Sequence, residues 1–93
     1  MAHATWVDKS KVAFLGGLKL LRADLVASEA GAAKASLHMG TTKEAPALAL
    51  LSAPAANVSS VVFHPGVEIT EGLWVELGAN AVGVLLVWEE LPA

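Results

Sequence analysis

The chain has 93 residues, a net charge of −3 and no cysteine. This length predicts one domain, and the lack of cysteine excludes disulfides and thiolate metal sites. The six basic residues are scattered rather than concentrated in one patch, so we expect no nucleic-acid binding. Hydrophobic residues make up 55% of the chain, above the ~45–50% of typical globular chains. No apolar run approaches the ~18 residues of a membrane helix, so we expect a soluble protein that binds no membrane and uses its surplus apolar surface for subunit contacts.

The first segment, residues 1–11, is polar and without periodicity, which predicts an N-terminal arm in front of a domain of residues 12–93. Trp6 is the exception within this arm. Its indole either anchors the arm in a pocket of a partner or covers the domain's own sheet, and the sequence leaves both interpretations open.

The first half of the domain predicts four strands separated by turn signals. Residues 12–15 form a short strand that ends at a Gly-Gly turn, and Leu18–Ala27 is the first long strand. Ala33–Met39 alternates apolar with polar residues, which is typical of a half-buried strand. Residues 46–52 favour helix by composition, but the segment is short, lies between turn clusters and precedes Pro54, so we prefer a strand there to a short helix.

Within the first long strand, Leu21, Ala23 and Leu25 predict one buried face. Arg22 and Asp24 lie on the opposite face, two residues apart and therefore side by side. We expect them to form a solvated ion pair that contributes little stability.

The last third of the chain consists of apolar runs separated by turn signals: residues 61–63, 67–69, 73–77 and 82–88. The whole chain then predicts seven or eight strands at a spacing of about ten residues. No alternating strand–helix units interrupt them, which excludes a parallel sheet. We therefore predict an all-β fold, a single small antiparallel β-sandwich resembling a jelly roll.

The final run, residues 82–88, is apolar on both faces of the predicted strand. Because a two-layer sandwich buries one face of each strand, the second face must meet the arm or another subunit. Gly83 inside this strand indicates a bulge or a close backbone approach. We predict an oligomer contact that includes Leu85 and Val87 of this strand and the aromatic anchors Trp6 and Trp74.

No group of residues has the spacing that catalysis or metal binding requires. The three histidines do not form a ligand pair, the serines lack a nucleophile elbow, and the paired carboxylates do not converge. The residues considered were His3, His38, His64, Ser59, Ser60, Glu68, Glu71, Glu89 and Glu90. We expect no enzymatic activity, no metal and no cofactor.

Four segments in order resemble a recurring type of small phage virion protein, the β-sandwich capsid decoration or head-fibre type. They are the long strand that follows the Gly16-Gly17 turn, the short strand that ends at Gly40-Thr-Thr, the block Phe63-His-Pro-Gly-Val-Glu-Ile-Thr-Glu-Gly-Leu-Trp-Val75, and the closing alternating strand from Val82 to Glu89, which ends in an aromatic residue and Glu. The resemblance covers roughly residues 14–90. The departure is the turn at Gly40, which lacks the usual Asp.

This resemblance implies a virion structural protein, foremost a capsid decoration (cement) protein that binds seams between major capsid proteins. Its partners would be itself, with a trimer favoured, and a major capsid protein. It would lie on the capsid exterior after synthesis in the host cytoplasm. Two alternatives stay open: a tail or head-fibre adaptor, and a small carbohydrate-binding module that uses Trp74 as a stacking platform.

Overall fold

The computed structural model describes residues 2–91, which form eight β-strands and no helix. The described residues accordingly include no helix that could cross a membrane. The predicted all-β class is confirmed, including the strand that we preferred to a helix near residues 46–52. The strands are β1 Ala2–Val7, β2 Lys11–Phe14, β3 Leu18–Ala27, β4 Ala33–Met39, β5 Ala47–Ala53, β6 Val58–Ile69, β7 Leu73–Leu77 and β8 Ala81–Glu89.

The strands build two four-stranded antiparallel sheets that pack face to face. Sheet A has the order β1-β8-β3-β6 and sheet B the order β2-β7-β4-β5. The pairing is nested, because β1 pairs with β8, β2 with β7, β3 with β6 and β4 with β5. This strand order is that of an eight-stranded jelly roll.

The core between the sheets consists of apolar residues, half of them leucine or isoleucine and nearly a third alanine. Five of its members are alanines, which bury less surface than leucine or isoleucine and let the sheets approach closely. The buried residues are Val7, Leu18, Leu20, Ala23, Leu25, Ala27, Ala33, Ala35, Leu37, Leu51, Ala53, Ile69, Leu73, Val75, Val84 and Leu86.

The segment expected to be an arm is instead part of the sandwich. Residues 2–7 form β1, an edge strand of sheet A that pairs along its whole length with β8. The inward positions of β1 are His3, Thr5 and Val7, opposite Trp88, Leu86 and Val84. Only Val7 of these three is fully buried. Residues 2–6 do alternate, but their apolar members Ala2, Ala4 and Trp6 lie on the outward face, so the alternation does not mark the core side of β1.

A bulge in β3 moves one leucine out of the core and its neighbour into it. Leu20 pairs with Trp88 and Arg22 with the adjacent Val87, so Leu21 is an extra residue relative to β8. The register with β6 shifts at the same point, but there the extra residues are 63–66 of β6. Leu20 is therefore fully buried, whereas Leu21, which strict alternation placed in the core, is only half-buried.

The predicted strands at residues 61–63 and 67–69 belong to one strand, β6. Both halves pair with β3, on either side of the register shift, and the His64–Pro65 peptide bond between them is cis. The proline is tolerated because β6 is an edge strand of sheet A, where a missing N–H breaks no ladder bond on the open side.

The bulge in β3 can be tested with two neighbouring leucines. We expect Leu20→Ala to destabilise the fold by ~2–5 kcal/mol, as for other buried leucines, and Leu21→Ala by roughly half as much or less. Urea unfolding followed by circular dichroism measures both. Equal losses, or a larger loss for Leu21→Ala, would contradict the bulge.

Candidate functional site: the two outer faces

The outer face of sheet A brings together three of the four predicted contact residues. Val84 and Leu86 of β8 point into the core, so the alternate residues Leu85 and Val87 point outward. Trp6 lies directly opposite Leu85 on β1 and therefore shares this outer face.

Trp6 lies over the backbone of β8 at Gly83. A Cβ atom built on Gly83 would lie 2.8 Å from ring atoms Cε2 and Cη2 of Trp6, so only glycine leaves room for the indole. The ring nevertheless stays 43% exposed. Trp6 thus covers its own sheet, the second of the two interpretations that the sequence left open, and still presents a broad aromatic surface. The close approach that Gly83 indicated is this contact.

An ion pair interrupts the apolar outer face of sheet A at its centre. Arg22 Nη2 lies 3.2 Å from Asp24 Oδ2, and across the ladder Arg22 is opposite Val87 and Asp24 opposite Leu85. The pair was expected to be solvated, but the Asp24 side chain is only 13% exposed, against 45% for Arg22. Within residues 2–91, Asp24 Oδ1 is buried and has no hydrogen-bond partner. Asp24 lies on a central strand between Leu85 and Ser60 of the neighbouring strands, whereas the sequence pattern alone placed it in solvent.

Two exposed valines extend this face onto the edge strand β6. Val62 is 67% exposed and lies opposite Arg22, and Val58 is 58% exposed and lies opposite Val26. We call the surface formed by Trp6, Leu85, Val87, Val62 and Val58 the sheet A patch. Apolar surface of this extent on one face is typical of a contact surface.

Trp74, the fourth predicted contact residue, lies on the opposite side of the sandwich because β7 belongs to sheet B. It is half-buried between Val12 and His38 on the neighbouring strands. Its indole Nε1–H donates a hydrogen bond of 2.9 Å to Glu76 Oε1. The four predicted residues therefore form two separate surfaces rather than one.

A shallow concavity of about 430 Å³ lies on the outer face of sheet B; Glu76, the hydrogen-bond partner of Trp74, lines it, but Trp74 itself does not. It spans β7, β4 and β5, where Ser36 lies between Glu76 and Leu50. Its rim combines an ammonium, a carboxylate, hydroxyls and an exposed leucine, and its lining residues are Lys34, Ala35, Ser36, Leu50, Leu51, Ser52, Glu76 and Gly78.

Ser36 and His38 form a hydrogen-bonded pair on β4 that was not predicted from the sequence. Nδ1 of His38 lies 2.8 Å from the carbonyl oxygen of Ala45, which can only accept, so Nδ1 carries a hydrogen. Nε2 of the neutral ring then accepts from the Ser36 hydroxyl at 2.8 Å. The pair ties the loop before β5 to β4. Alternation on a strand places residues 36 and 38 on one face, which was the available signal.

The third tryptophan closes the open end of the core rather than an outer face. Trp88 lies in an edge-to-face arrangement with Phe14, with ring centroids 4.9 Å apart, and the ring centroid of His3 is 4.7 Å away. Its indole N–H donates to Thr5 Oγ1 at 2.9 Å. Trp88 therefore fastens β1 and β2 to the last strand.

His3 also pairs with the residue that follows β8. Its Nε2 lies 2.7 Å from Glu90 Oε1. A hydrogen bond from the backbone N–H of Glu90 lowers the pKa of the Glu90 carboxyl, and the hydrogen bond from His3 lowers it further. The neighbouring Glu89 lies 4.0 Å from Lys19, so the two consecutive carboxylates have different partners.

The three histidines lie on three different strands, β1, β4 and β6. Among residues 2–91, no three histidine, aspartate or glutamate side chains are grouped as a metal ion would require. Ser59, Ser60 and His64 all lie on β6, and none of the hydrogen bonds between side chains of the described residues joins them.

Comparison of the chain with protein families, with curated proteins and with solved structures found no match.

The contact between Trp6 and Gly83 predicts the effect of a single methyl group. We expect Gly83→Ala to displace the indole, destabilise the protein by ~1–3 kcal/mol and make Trp6 more accessible to acrylamide. Gly16→Ala is the matched control, since a Cβ there meets nothing within 4 Å. Denaturant unfolding and quenching would measure both variants, and a fully stable Gly83→Ala protein would refute the contact.

The hydrogen bond between His3 and Glu90 predicts a change in titration. His3→Phe retains the ring beside Trp88 but removes the donor, so we expect the Glu90 pKa to rise while staying below its ordinary value, because the backbone hydrogen bond is kept. A carboxyl whose pKa is lowered by folding stabilises the protein above its unfolded pKa, and this contribution is lost as the pH falls through the folded pKa. Carboxyl carbon NMR would report the shift, with His64→Phe as the control that leaves Glu90 unchanged.

Proposed function

We propose that this protein is a virion structural protein, foremost a capsid decoration protein that stabilises a shell by binding along the seams between major capsid proteins. The observation that carries the proposal is the sheet A patch, an aromatic and aliphatic surface on a small sandwich. The resemblance to small phage virion proteins supplies the setting, and a jelly roll is a fold that viral capsid domains use, which supports the setting by analogy alone.

The mechanism we propose is mechanical. Copies of the protein bury their apolar outer surfaces against one another and against the shell, which adds contact area across a seam without chemistry. Trp6 is suited to be an anchor, because it is large, 43% exposed and already held in one orientation by β8. In this proposal the protein associates with itself and with the major capsid protein on the capsid exterior. A tail or head-fibre adaptor would use the same surface at another place in the particle.

Carbohydrate binding is the second candidate, and the concavity on the outer face of sheet B is the observation that favours it. Hydroxyls, one carboxylate and one ammonium around an aliphatic residue suit a polyhydroxylated ring. Trp74 itself is half-buried and its N–H is bound to Glu76, so it offers less stacking surface than a free platform.

The proposal predicts binding to shells assembled from the major capsid protein of the same genome. We expect the protein to co-sediment with these shells and to raise their resistance to heat. Trp6→Ala should weaken binding about 30-fold, the equivalent of ~2 kcal/mol, because an aromatic anchor is lost. Leu50→Ala, which truncates a 79% exposed leucine on sheet B, is the control and should bind as the unaltered protein does.

Results other than shell binding would distinguish the decoration protein from the two alternative functions. A protein that ignores shells but binds a glycan array, and loses that binding on Trp74→Ala, would refute decoration and favour the carbohydrate candidate. Recovery from virions only in tail fractions would favour the adaptor.

A further inference from the structure

We propose that the sheet A patch is the contact between two copies of this chain, packed face to face around a twofold axis, with Arg22 of each copy over Asp24 of the other. This inference rests on the proposed function, in which the protein associates with itself, and it names the surface, the symmetry and the residues. It differs from the trimer favoured from the sequence.

The charge of Asp24 is only partly compensated within its own chain. Its carboxylate is largely removed from water, only one guanidinium compensates it, and its Oδ1 has no hydrogen-bond partner within residues 2–91. A carboxylate in that position is costly unless its charge is further compensated. Arg22 is 45% exposed and has donors beyond those facing its own Asp24. Oδ1 is buried within its own chain, so a guanidinium from a second copy would compensate the charge of the Asp24 carboxylate from the exposed side rather than bond to Oδ1.

The outer face of sheet A is complementary to itself. Arg22 and Val87 form one row across β3 and β8, and Asp24 and Leu85 form the adjacent row toward the other end of the sheet. A twofold axis perpendicular to the sheet would leave the two copies side by side. A twofold axis that lies in the plane of the contact, across the strands and between these two rows, stacks the two outer faces on each other. This second axis places the Arg22 row of one copy over the Asp24 row of the other copy. Arg22 then faces Asp24 twice, as an isologous contact requires.

The same axis brings no like charges together. Lys19 and Glu89, in the row beyond Arg22, fall opposite Val26 and Gly83 of the copy, in the row beyond Asp24. The aliphatic residues Leu85 and Val87 face each other at the centre. Sheets packed in this way lie ~10 Å apart, a gap that the Arg22 side chain and a carboxylate span together.

The available area is sufficient. A stable interface takes ~800 Å² from each partner. That is less than a sixth of the 5115 Å² of accessible surface, and an outer face of a two-layer sandwich supplies a share of that size.

The decisive experiment mixes two charge variants. Arg22→Glu leaves only acidic groups at the two positions and Asp24→Arg leaves only basic groups, so each variant has lost its internal ion pair and repels its own copies. Mixed together, they place the two carboxylates of one chain over the two guanidinium groups of the other. Native mass spectrometry should show each variant alone as a monomer of about 9.5 kDa and the mixture as a dimer of one chain of each kind. Failure of the mixture to form that dimer, with both variants folded by circular dichroism, would overturn the inference.

A second pair of variants covers the case in which Asp24→Arg does not fold. Val62→Glu and Leu50→Glu each add a charge at an exposed residue of an edge strand, on sheet A and sheet B respectively. We expect the unaltered chain to sediment as a dimer at micromolar concentration, Val62→Glu to weaken it at least tenfold and Leu50→Glu to leave it intact. A trimer or monomer for the unaltered chain, or no effect of Val62→Glu, would overturn the proposal.

Shell binding is measured separately, so the two proposals can fail independently. A dimer that the charge variants control but that ignores shells supports this interface and refutes decoration. Shell binding by a chain that is monomeric in solution supports decoration and refutes this interface.

Discussion

The fold depends on one constraint, which is that every strand of the first half pairs with a strand of the second half in reverse order. The last strand must therefore return beside the first, and β8 takes a central position in sheet A between β1 and β3. A central strand of this sheet is covered on its inner face by the core and flanked on both edges, so only its outer face is left to be shielded. Trp6, which lies on the neighbouring strand β1, covers part of that outer face at Gly83.

Because the core is thin, the contacts that close the open end of the sandwich are important for the stability of the fold. Alanine at five buried positions contributes little burial for each residue, so the fold needs the whole nested set of strands rather than one dominant cluster. At the open end, Trp88 combines an edge contact with Phe14 and a hydrogen bond to Thr5, which fixes β1 and β2 to β8. The N-terminal strand is for this reason a structural member of the sandwich and not an appendage.

Strand class, strand number and most inward positions could be predicted from the sequence because period-two patterns depend on local alternation alone. The burial of Leu20 in place of Leu21 could not be predicted, since the bulge depends on the register between β3 and β8. In residues 2–7 the apolar side chains Ala2, Ala4 and Trp6 face outward and polar His3 and Thr5 face inward, which is the reverse of the usual pattern of a half-buried strand. The division of the predicted contact residues between two faces depends on which sheet holds β7, and the burial of Asp24 depends on side chains from other strands; neither is visible in the spacing of residues.

The two outer faces differ in how their polar side chains are satisfied. On the outer face of sheet B, Ser36, His38, Trp74 and Glu76 all have hydrogen-bond partners on that face or the adjoining loop. The outer face of sheet A differs, because it exposes aromatic and aliphatic surface around Asp24, whose Oδ1 finds no hydrogen-bond partner in the described part of the chain. Desolvated charge beside exposed apolar surface is unfavourable in an isolated chain but becomes favourable once a partner with the complementary arrangement covers both. An ion pair placed off the axis of a twofold contact provides that complement without any second kind of subunit.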